Sequence, residues 1–133
     1  MKLYDELSDW WQLMSPPDEY REEASHYTAL LKDLVAPKEL RTLLELGSGG
    51  GHNASHMKAH FDLTLVDLSP GMLAVSRALN PNCDHHVGDM RSIRLGRTFD
   101  AVVIHDAICY LTTEADLRRG RTTAAIHVDP DVL

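Results

Sequence analysis

The most constraining feature of this sequence is a short apolar run that ends abruptly in a cluster of glycines. Residues 42–46 read TLLEL, and GSGGG follows at 47–51. A run of this length is typical of a buried parallel strand. Glycines after a strand allow unusual backbone angles and let a ligand approach the main chain closely. The sequence therefore predicts a strand that leads into a ligand-binding loop.

Further strands and helices alternate along the chain. Apolar runs predict strands at residues 63–66 and 99–105, and a weaker strand is predicted around residues 84–87. Helices are predicted at residues 19–35, 53–60, 70–79 and 113–119, with Gly120 ending the last of them and a short strand at 124–128. Such alternation implies a parallel sheet with helices on both faces and right-handed crossovers. The predicted fold class is α/β, with a doubly wound, mostly parallel sheet.

The N-terminal segment differs from the rest because it has helical spacing alone. Residues 1–36 carry an apolar stripe that includes Tyr4 and Trp11, interrupted by Pro16 and Pro17. We interpret this segment as a helical N-terminal arm or lid over a domain formed by residues 37–133.

Charge and composition narrow the range of partners. Thirteen Lys and Arg against twenty Asp and Glu give a net charge of −7, a poor match to nucleic acid or to an anionic membrane surface. No stretch has the apolar length of a signal peptide or membrane span, so we expect a cytoplasmic protein. Cys83 and Cys109 lack CxxC spacing, and free thiols are expected.

The position of Asp67 indicates the kind of ligand. In open α/β sheets, ligands bind at the carboxyl ends of the strands. Asp67 follows Gly47 by 20 residues, about the separation at which an acidic residue accepts hydrogen bonds from ribose. A dinucleotide loop would place its third glycine or alanine at His52, whereas here it is Gly51. The pattern favours a nucleoside ligand other than NAD.

Four segments together resemble the successive motifs of class I, Rossmann-like methyltransferases that act on small molecules. They read LLELGSGGGHN, LTLVDLSPGML, GDMRSIRLGRTFDAVV and IHDAICYL, within residues 43–117. Bacterial enzymes that methylate amino sugars and other secondary metabolites are similar. The resemblance implies a Rossmann-like methyltransferase fold and methyl transfer from S-adenosylmethionine to a small-molecule acceptor, with S-adenosylhomocysteine as product.

The resemblance also implies roles for individual residues. Glu45 and the backbone around Gly47 and Gly49 would hold the methionine moiety, Asp67 the ribose and Asp89 the adenine amino group. Apolar side chains would pack on the adenine ring. The cofactor-binding residues so implied are Tyr4, Trp11, Glu45, Gly47, Ser48, Gly49, Asp67, Leu68, Met72, Gly88, Asp89, Met90 and His105.

Catalysis in this family makes modest demands on the protein, because the sulfonium is already a good methyl donor and alignment of donor and acceptor is the main task. If a proton must leave the acceptor, His105 or Asp106 is the predicted general base; capping or a backbone hydrogen bond at the strand end is the structural alternative. His52, His56 and His60 recur every four residues. A closed zinc site needs about four ligands, so we predict surface histidines and no metal site.

The resemblance fails after residue 119. Residues 120–133 do not match the family's usual continuation, so we expect a sheet whose C-terminal strands are truncated. The edge left exposed predicts a homodimer. Three hypotheses follow: an active methyltransferase, a cofactor-binding fragment or pseudoenzyme without turnover, and a nucleotide-dependent oxidoreductase domain, which the third-glycine position disfavours.

Overall fold

Parallel strands and flanking helices form the described part of the chain, residues 21–104 and 113–131 of a computed structural model. In chain order the elements are α1 (Arg21–Val35), β1 (Thr42–Leu46), α2 (His52–Met57), β2 (Asp62–Asp67), α3 (Pro70–Leu79), β3 (Asp84–Val87), β4 (Ala101–Ile104) and α4 (Glu114–His127). The sheet order is β3-β2-β1-β4, and each neighbouring pair is parallel. The predicted α/β class with a Rossmann-like sheet is confirmed.

The centre of the sheet is buried on both faces, because side chains of β1 alternate between two apolar clusters. Leu43 packs in a cluster with residues of α1 and α2, and Leu44 and Leu46 pack in a second cluster on the opposite face. The first cluster consists of Ala24, Val35, Leu40, Leu43, Ala54, Met57, Phe61, Leu63, Leu65 and Ala101. Since α1 contributes Ala24 and Val35, it belongs to the same core as the sheet.

The capping residues predicted for α3 are confirmed. Ser69 precedes the helix, and its Oγ accepts a hydrogen bond from the backbone N of Met72 at 3.2 Å. Pro70 occupies the first turn, where its missing N–H is not needed. Asn80 follows the last helical residue. This helix is thereby placed directly after Asp67, at the carboxyl end of β2.

The C-terminal part of the prediction was wrong. Residues 124–127 were expected to form a strand and instead extend α4 to His127. Gly120, expected to end the helix, lies inside it and is buried. The helix begins at a Thr113 cap whose Oγ1 accepts a hydrogen bond from Asp116 N at 3.0 Å. A single bridge between Phe99 and Val128 is the strand-like pairing found there.

Two boundaries also differ from prediction. The helix predicted from an Asn53 cap to His60 is the short α2, which begins after Gly51 and ends at Met57, so Asn53 lies within it. The strand predicted at 99–105 is confirmed as β4 over the shorter range given above. The arm at residues 1–20, with Tyr4 and Trp11, lies outside the described residues.

A polar cluster joins the starts of β1 and β4. One oxygen of Asp100 accepts hydrogen bonds from the backbone N of Arg41 and of Thr42, at 2.9 and 3.0 Å. The ammonium of Lys38 lies 3.2 Å from the other oxygen and also binds Asp129. None of the helices in the described ranges is both long and apolar enough to cross a membrane.

Candidate functional site

The loop after β1 turns over the carboxyl end of β2. Gly47 and Gly49 have φ values of 75° and 58°, which residues with a Cβ rarely adopt. The backbone N atoms of Gly47 and Ser48 donate to the carbonyl of Val66 at 2.7 and 2.9 Å. These bonds fix the loop beside Asp67, the residue that follows Val66.

Asp67 is the point at which three segments meet. Its Oδ1 accepts a hydrogen bond from Gly49 N and its Oδ2 one from Ser69 N, each at 3.0 Å. The backbone N of Gly88 donates to the Asp67 carbonyl, also at 3.0 Å. The carboxylate is partly exposed. The predicted loop, Asp67 and Gly88 are therefore brought together.

Glu45 lies on the α1 and α2 side of the sheet, in β1. It is 6% exposed and lines a small recess with Asn53, Met57 and Tyr27. A carboxylate in such a place needs cationic or hydrogen-bonding partners to offset the loss of solvent. Glu45 and Asn53 thus bring polar side chains into a recess that is otherwise lined by Tyr27, Leu43, Met57 and Val103.

Buried polar atoms around the loop test whether a ligand fits there. Within residues 21–104 and 113–131, Ser48 Oγ and Asn53 Oδ1 are buried and have no hydrogen-bond partner. Such atoms are uncommon in folded proteins and call for a missing partner. A Cβ built on Gly49 would meet only the Met72 methyl, at 3.4 Å, within the described chain. The loop therefore has unused hydrogen-bonding capacity, which fits a polar ligand.

The apolar residues predicted to hold a ring differ in exposure. Leu68, next to Asp67, is 45% exposed and presents an apolar surface at the sheet edge. Met72 is buried, and its methyl group would lie 3.4 Å from a Cβ built on Gly49. Met90 is partly buried against the second apolar cluster. Leu68 and Met90 are thus the two that offer apolar surface at this edge.

Asp89 is paired with Arg91 in a tight ion pair. Its Oδ2 lies 2.6 Å from Arg91 Nη2, and Arg91 Nε lies 3.0 and 3.1 Å from the two carboxylate oxygens. Arg91 Nη1 also reaches Asp116 of α4 at 3.3 Å. The hydrogen bond from the Arg91 guanidinium holds the pKa of the Asp89 carboxyl below its usual range. Asp89 is therefore an ionised hydrogen-bond acceptor.

The histidine prediction was wrong at one position. His52 was expected at the surface but is 3% exposed, because it begins α2 directly under the glycine loop. Burial lowers its imidazole pKa, and the neighbouring His56 lowers it further. No cluster of three His, Cys, Asp or Glu side chains suited to a metal ion occurs within the described ranges.

Some predicted site residues lie outside the described ranges, and some residues of the observed site were not predicted from the sequence. Tyr4, Trp11, His105 and Asp106 lie outside the described residues. Asn53 was predicted only as a helix cap, and Arg91 was not among the predicted site residues. Opposite charges at Asp89 and Arg91, two apart in one loop, were the available signal for their pairing; nothing local indicated that Asn53 would lie beside Glu45.

Known proteins resemble this chain over most of its length. The methyltransferase domain family matches residues 43–131. A curated relative is the dTDP-3-amino-3,4,6-trideoxy-alpha-D-glucopyranose N,N-dimethyltransferase of Streptomyces venezuelae, 34% identical over 114 residues. That match covers 84% of this chain and 47% of the relative. The chain spans about half the length of the curated relatives it matches.

Solved structures show the same fold. The crystal structure of Streptomyces venezuelae DesVI matches with a TM-score of 0.82 and 33% identity, over 95% of this chain and 53% of that one. CalS10 from Micromonospora echinaspora, an amino pentose methyltransferase solved with S-adenosylmethionine (SAM) bound, matches with a TM-score of 0.79 and 31% identity. That match covers 84% of this chain and 47% of CalS10.

Proposed function

The chain belongs to the methyltransferase domain family, which matches more than half of its length, and from this membership we propose that it binds S-adenosylmethionine and transfers its methyl group to a small molecule. One observation carries the proposal: the glycine loop after Glu45 is hydrogen-bonded to the carboxylate of Asp67. A ligand that joins a nucleoside to a charged amino-acid tail matches two acceptors beside this loop, the carboxylates of Glu45 and Asp67.

The methionine moiety is assigned to the side of the loop facing Glu45. Its ammonium matches the acceptors Glu45 and Asn53 Oδ1, and its carboxylate matches the hydroxyl of Ser48 and the loop backbone. Ser48 Oγ and Asn53 Oδ1 would thereby gain the partners that the described residues do not supply.

The nucleoside is assigned to the other side of the loop. Asp67 would accept hydrogen bonds from the ribose hydroxyls, and Asp89 one from the adenine amino group. Leu68 and Met90 would contact the faces of the ring, where apolar surface is needed. The support is that Gly88 is bonded to the Asp67 carbonyl, so that both carboxylates lie at one edge of the sheet.

For the methyl acceptor we propose an amino sugar, because the Streptomyces venezuelae relative and CalS10 are both named for methylation of amino sugars. The bound sulfonium supplies an electrophilic methyl group. The chain would hold the acceptor nitrogen in line with it and exclude water. His105 or Asp106, which follow β4 directly, would take the proton that leaves the nitrogen.

Binding calorimetry with S-adenosylmethionine, S-adenosylhomocysteine and NAD tests the cofactor. We expect the first two to bind in preference to NAD, and Asp67→Ala to weaken them by about 1–3 kcal/mol through loss of charge-assisted hydrogen bonds. Asp62→Ala, at the exposed start of the same strand, is the matched control and should bind normally. Unchanged affinity in folded Asp67→Ala would refute the assignment, and preferential NAD binding would support the oxidoreductase hypothesis.

Methyl transfer to dTDP-linked amino sugars tests the reaction. Appearance of S-adenosylhomocysteine together with a methylated sugar supports the proposed enzyme. Cofactor binding without turnover would instead support a cofactor-binding fragment or pseudoenzyme.

A cytoplasmic location and a homodimer stay predictions. The support for the dimer is that β4 has a strand neighbour, β1, on one side only within the described ranges.

A further inference from the structure

Arg91 links the carboxylate that follows β3 to the first turn of α4. Its guanidinium contacts both oxygens of Asp89 and, through Nη1, Asp116. The backbone N of Arg91 adds a hydrogen bond of 2.8 Å to Asp89 Oδ1. Asp89 is therefore held by side-chain and backbone donors of one residue, and that residue is anchored on a helix.

These contacts fix both the orientation and the charge of Asp89. A planar guanidinium engages a carboxylate in a defined fork, so rotation of the Asp89 side chain is restricted. The other charged groups near the pair are Asp116 and Arg119 of α4, which lie 4.0 Å apart. Arg91 and Arg119 both favour the ionised form of Asp89. An ionised carboxylate can accept hydrogen bonds but cannot donate one.

We propose that Arg91 is a positioning residue that holds Asp89 in the orientation and ionic form that select adenine over hypoxanthine. The inference rests on the proposed function, in which Asp89 meets the adenine amino group. That amino group donates a hydrogen bond, whereas hypoxanthine carries an acceptor oxygen at the same ring position. A fixed, ionised carboxylate binds the first and repels the second.

The experiment measures a ratio of affinities. Calorimetry would give the Kd values of S-adenosylhomocysteine and S-inosylhomocysteine for the full chain at pH 7 and pH 4. We expect the wild type to favour the adenine compound by on the order of ten- to a hundredfold at both pH values. In Arg91→Gln the ratio should fall at least about threefold at pH 7, because Asp89 is no longer held in place.

The pH dependence distinguishes positioning from simple loss of structure. With Arg91 absent, the Asp89 pKa rises, so a protonated and hydrogen-bond-donating fraction grows as the pH falls. The ratio of Arg91→Gln should therefore decline further at pH 4, while that of the wild type changes less. Arg91→Lys keeps a positive charge without the fork, and should restore the wild-type pH profile but only part of the ratio.

Each outcome supports or overturns the inference. Arg118→Gln removes an exposed arginine that pairs with Glu114 on the same helix, and should leave the ratio unchanged. If Arg91→Gln leaves the ratio unchanged, whether or not both ligands bind more weakly, the proposed role of Arg91 is overturned and the proposed function is not affected. If Arg91→Gln does not fold by circular dichroism, Arg91→Lys decides the question. No binding of S-adenosylhomocysteine to the wild type would instead overturn the proposed function.

Discussion

Gly51 is a residue whose need for glycine comes from packing between two helices. Its φ is +76°, and a Cβ there would lie 2.2 Å from Ser76 Oγ and 2.5 Å from Asn80 Nδ2. The same Asn80 Nδ2 donates a hydrogen bond of 2.9 Å to the Gly51 carbonyl. Gly51, the third glycine in the G-x-G-x-G spacing of the loop, therefore allows α3 to pack directly against the start of α2.

A pair of glycine variants separates this packing from backbone strain. Gly96 also has a positive φ, of +71°, but a Cβ there would meet nothing within 4 Å in the described chain. Gly96→Ala should therefore lower the free energy of unfolding by about 1–2 kcal/mol from strain alone. Gly51→Ala adds a steric clash and should cost roughly 1–3 kcal/mol more. Urea denaturation measures both, and equal losses would contradict the packing role.

At the residue scale, sequence reasoning succeeded where spacing alone determines position. The separation of Gly47 and Asp67 predicted their proximity, because each follows a parallel strand and the carboxyl ends of such strands lie at one edge. It failed for His52, whose burial depends on the path of the loop above it. It missed the bonds of Arg91 to α4 for the same reason, since Asp116 is 25 residues away.

At the scale of elements, α4 shows why local composition can mislead. Residues 122–128 read TTAAIHV, and β-branched residues there favour a strand. The segment is nevertheless helical, and its buried residues Gly120, Thr123 and His127 recur at spacings of three and four. Tertiary contacts of that buried stripe outweigh the weak local preference for a strand.

His127 fastens the end of α4 to the segment before β4. Its ring is 2% exposed, and Nδ1 lies 2.6 Å from the carbonyl of Thr123. The backbone N of Leu95 donates to Nε2 at 3.0 Å. The ring thus donates through Nδ1 and accepts through Nε2. The backbone carbonyl of His127 also accepts a hydrogen bond of 2.7 Å from Phe99 N.

Removal of this ring should loosen α4. His127→Ala leaves Leu95 N without its acceptor and opens a cavity, so we expect a loss of about 2–4 kcal/mol in the free energy of unfolding. Ile126→Ala, at an adjacent position that is 46% exposed, should change it by less than about 0.5 kcal/mol. Thermal or urea denaturation gives both values; similar effects of the two variants would show that His127 does not dock the helix.

For the whole molecule, the strand and helix alternation was predictable and the sheet's extent was not. β1 and β3 have the predicted bounds, and a glycine directly follows each of them, Gly47 after β1 and Gly88 after β3. The neighbour expected for β4 at residues 124–128 is absent, since those residues continue and end α4. Long-range pairing leaves little local signal, so it could be inferred only by resemblance.

The edge of β4 yields a prediction about self-association. In residues 21–104 and 113–131, β4 pairs with β1 and has no second strand neighbour beyond the bridge at Phe99 and Val128. Unpaired edge groups favour pairing with another chain. We expect light scattering to show a mass that rises from monomer to dimer with protein concentration. A monomer at every concentration would mean that this edge is protected within the chain.

The strand order β3-β2-β1-β4 also sets an order of events during synthesis. β1 precedes the other strands in the chain, yet it lies between β2 and β4. At about 5–20 residues per second, the ribosome completes β4 about 2–7 s after β2. Until then one edge of β1 has no partner strand, and the nascent chain exposes backbone groups that a ribosome-bound chaperone could cover. The central strand is thus the first to be made and the last to be enclosed.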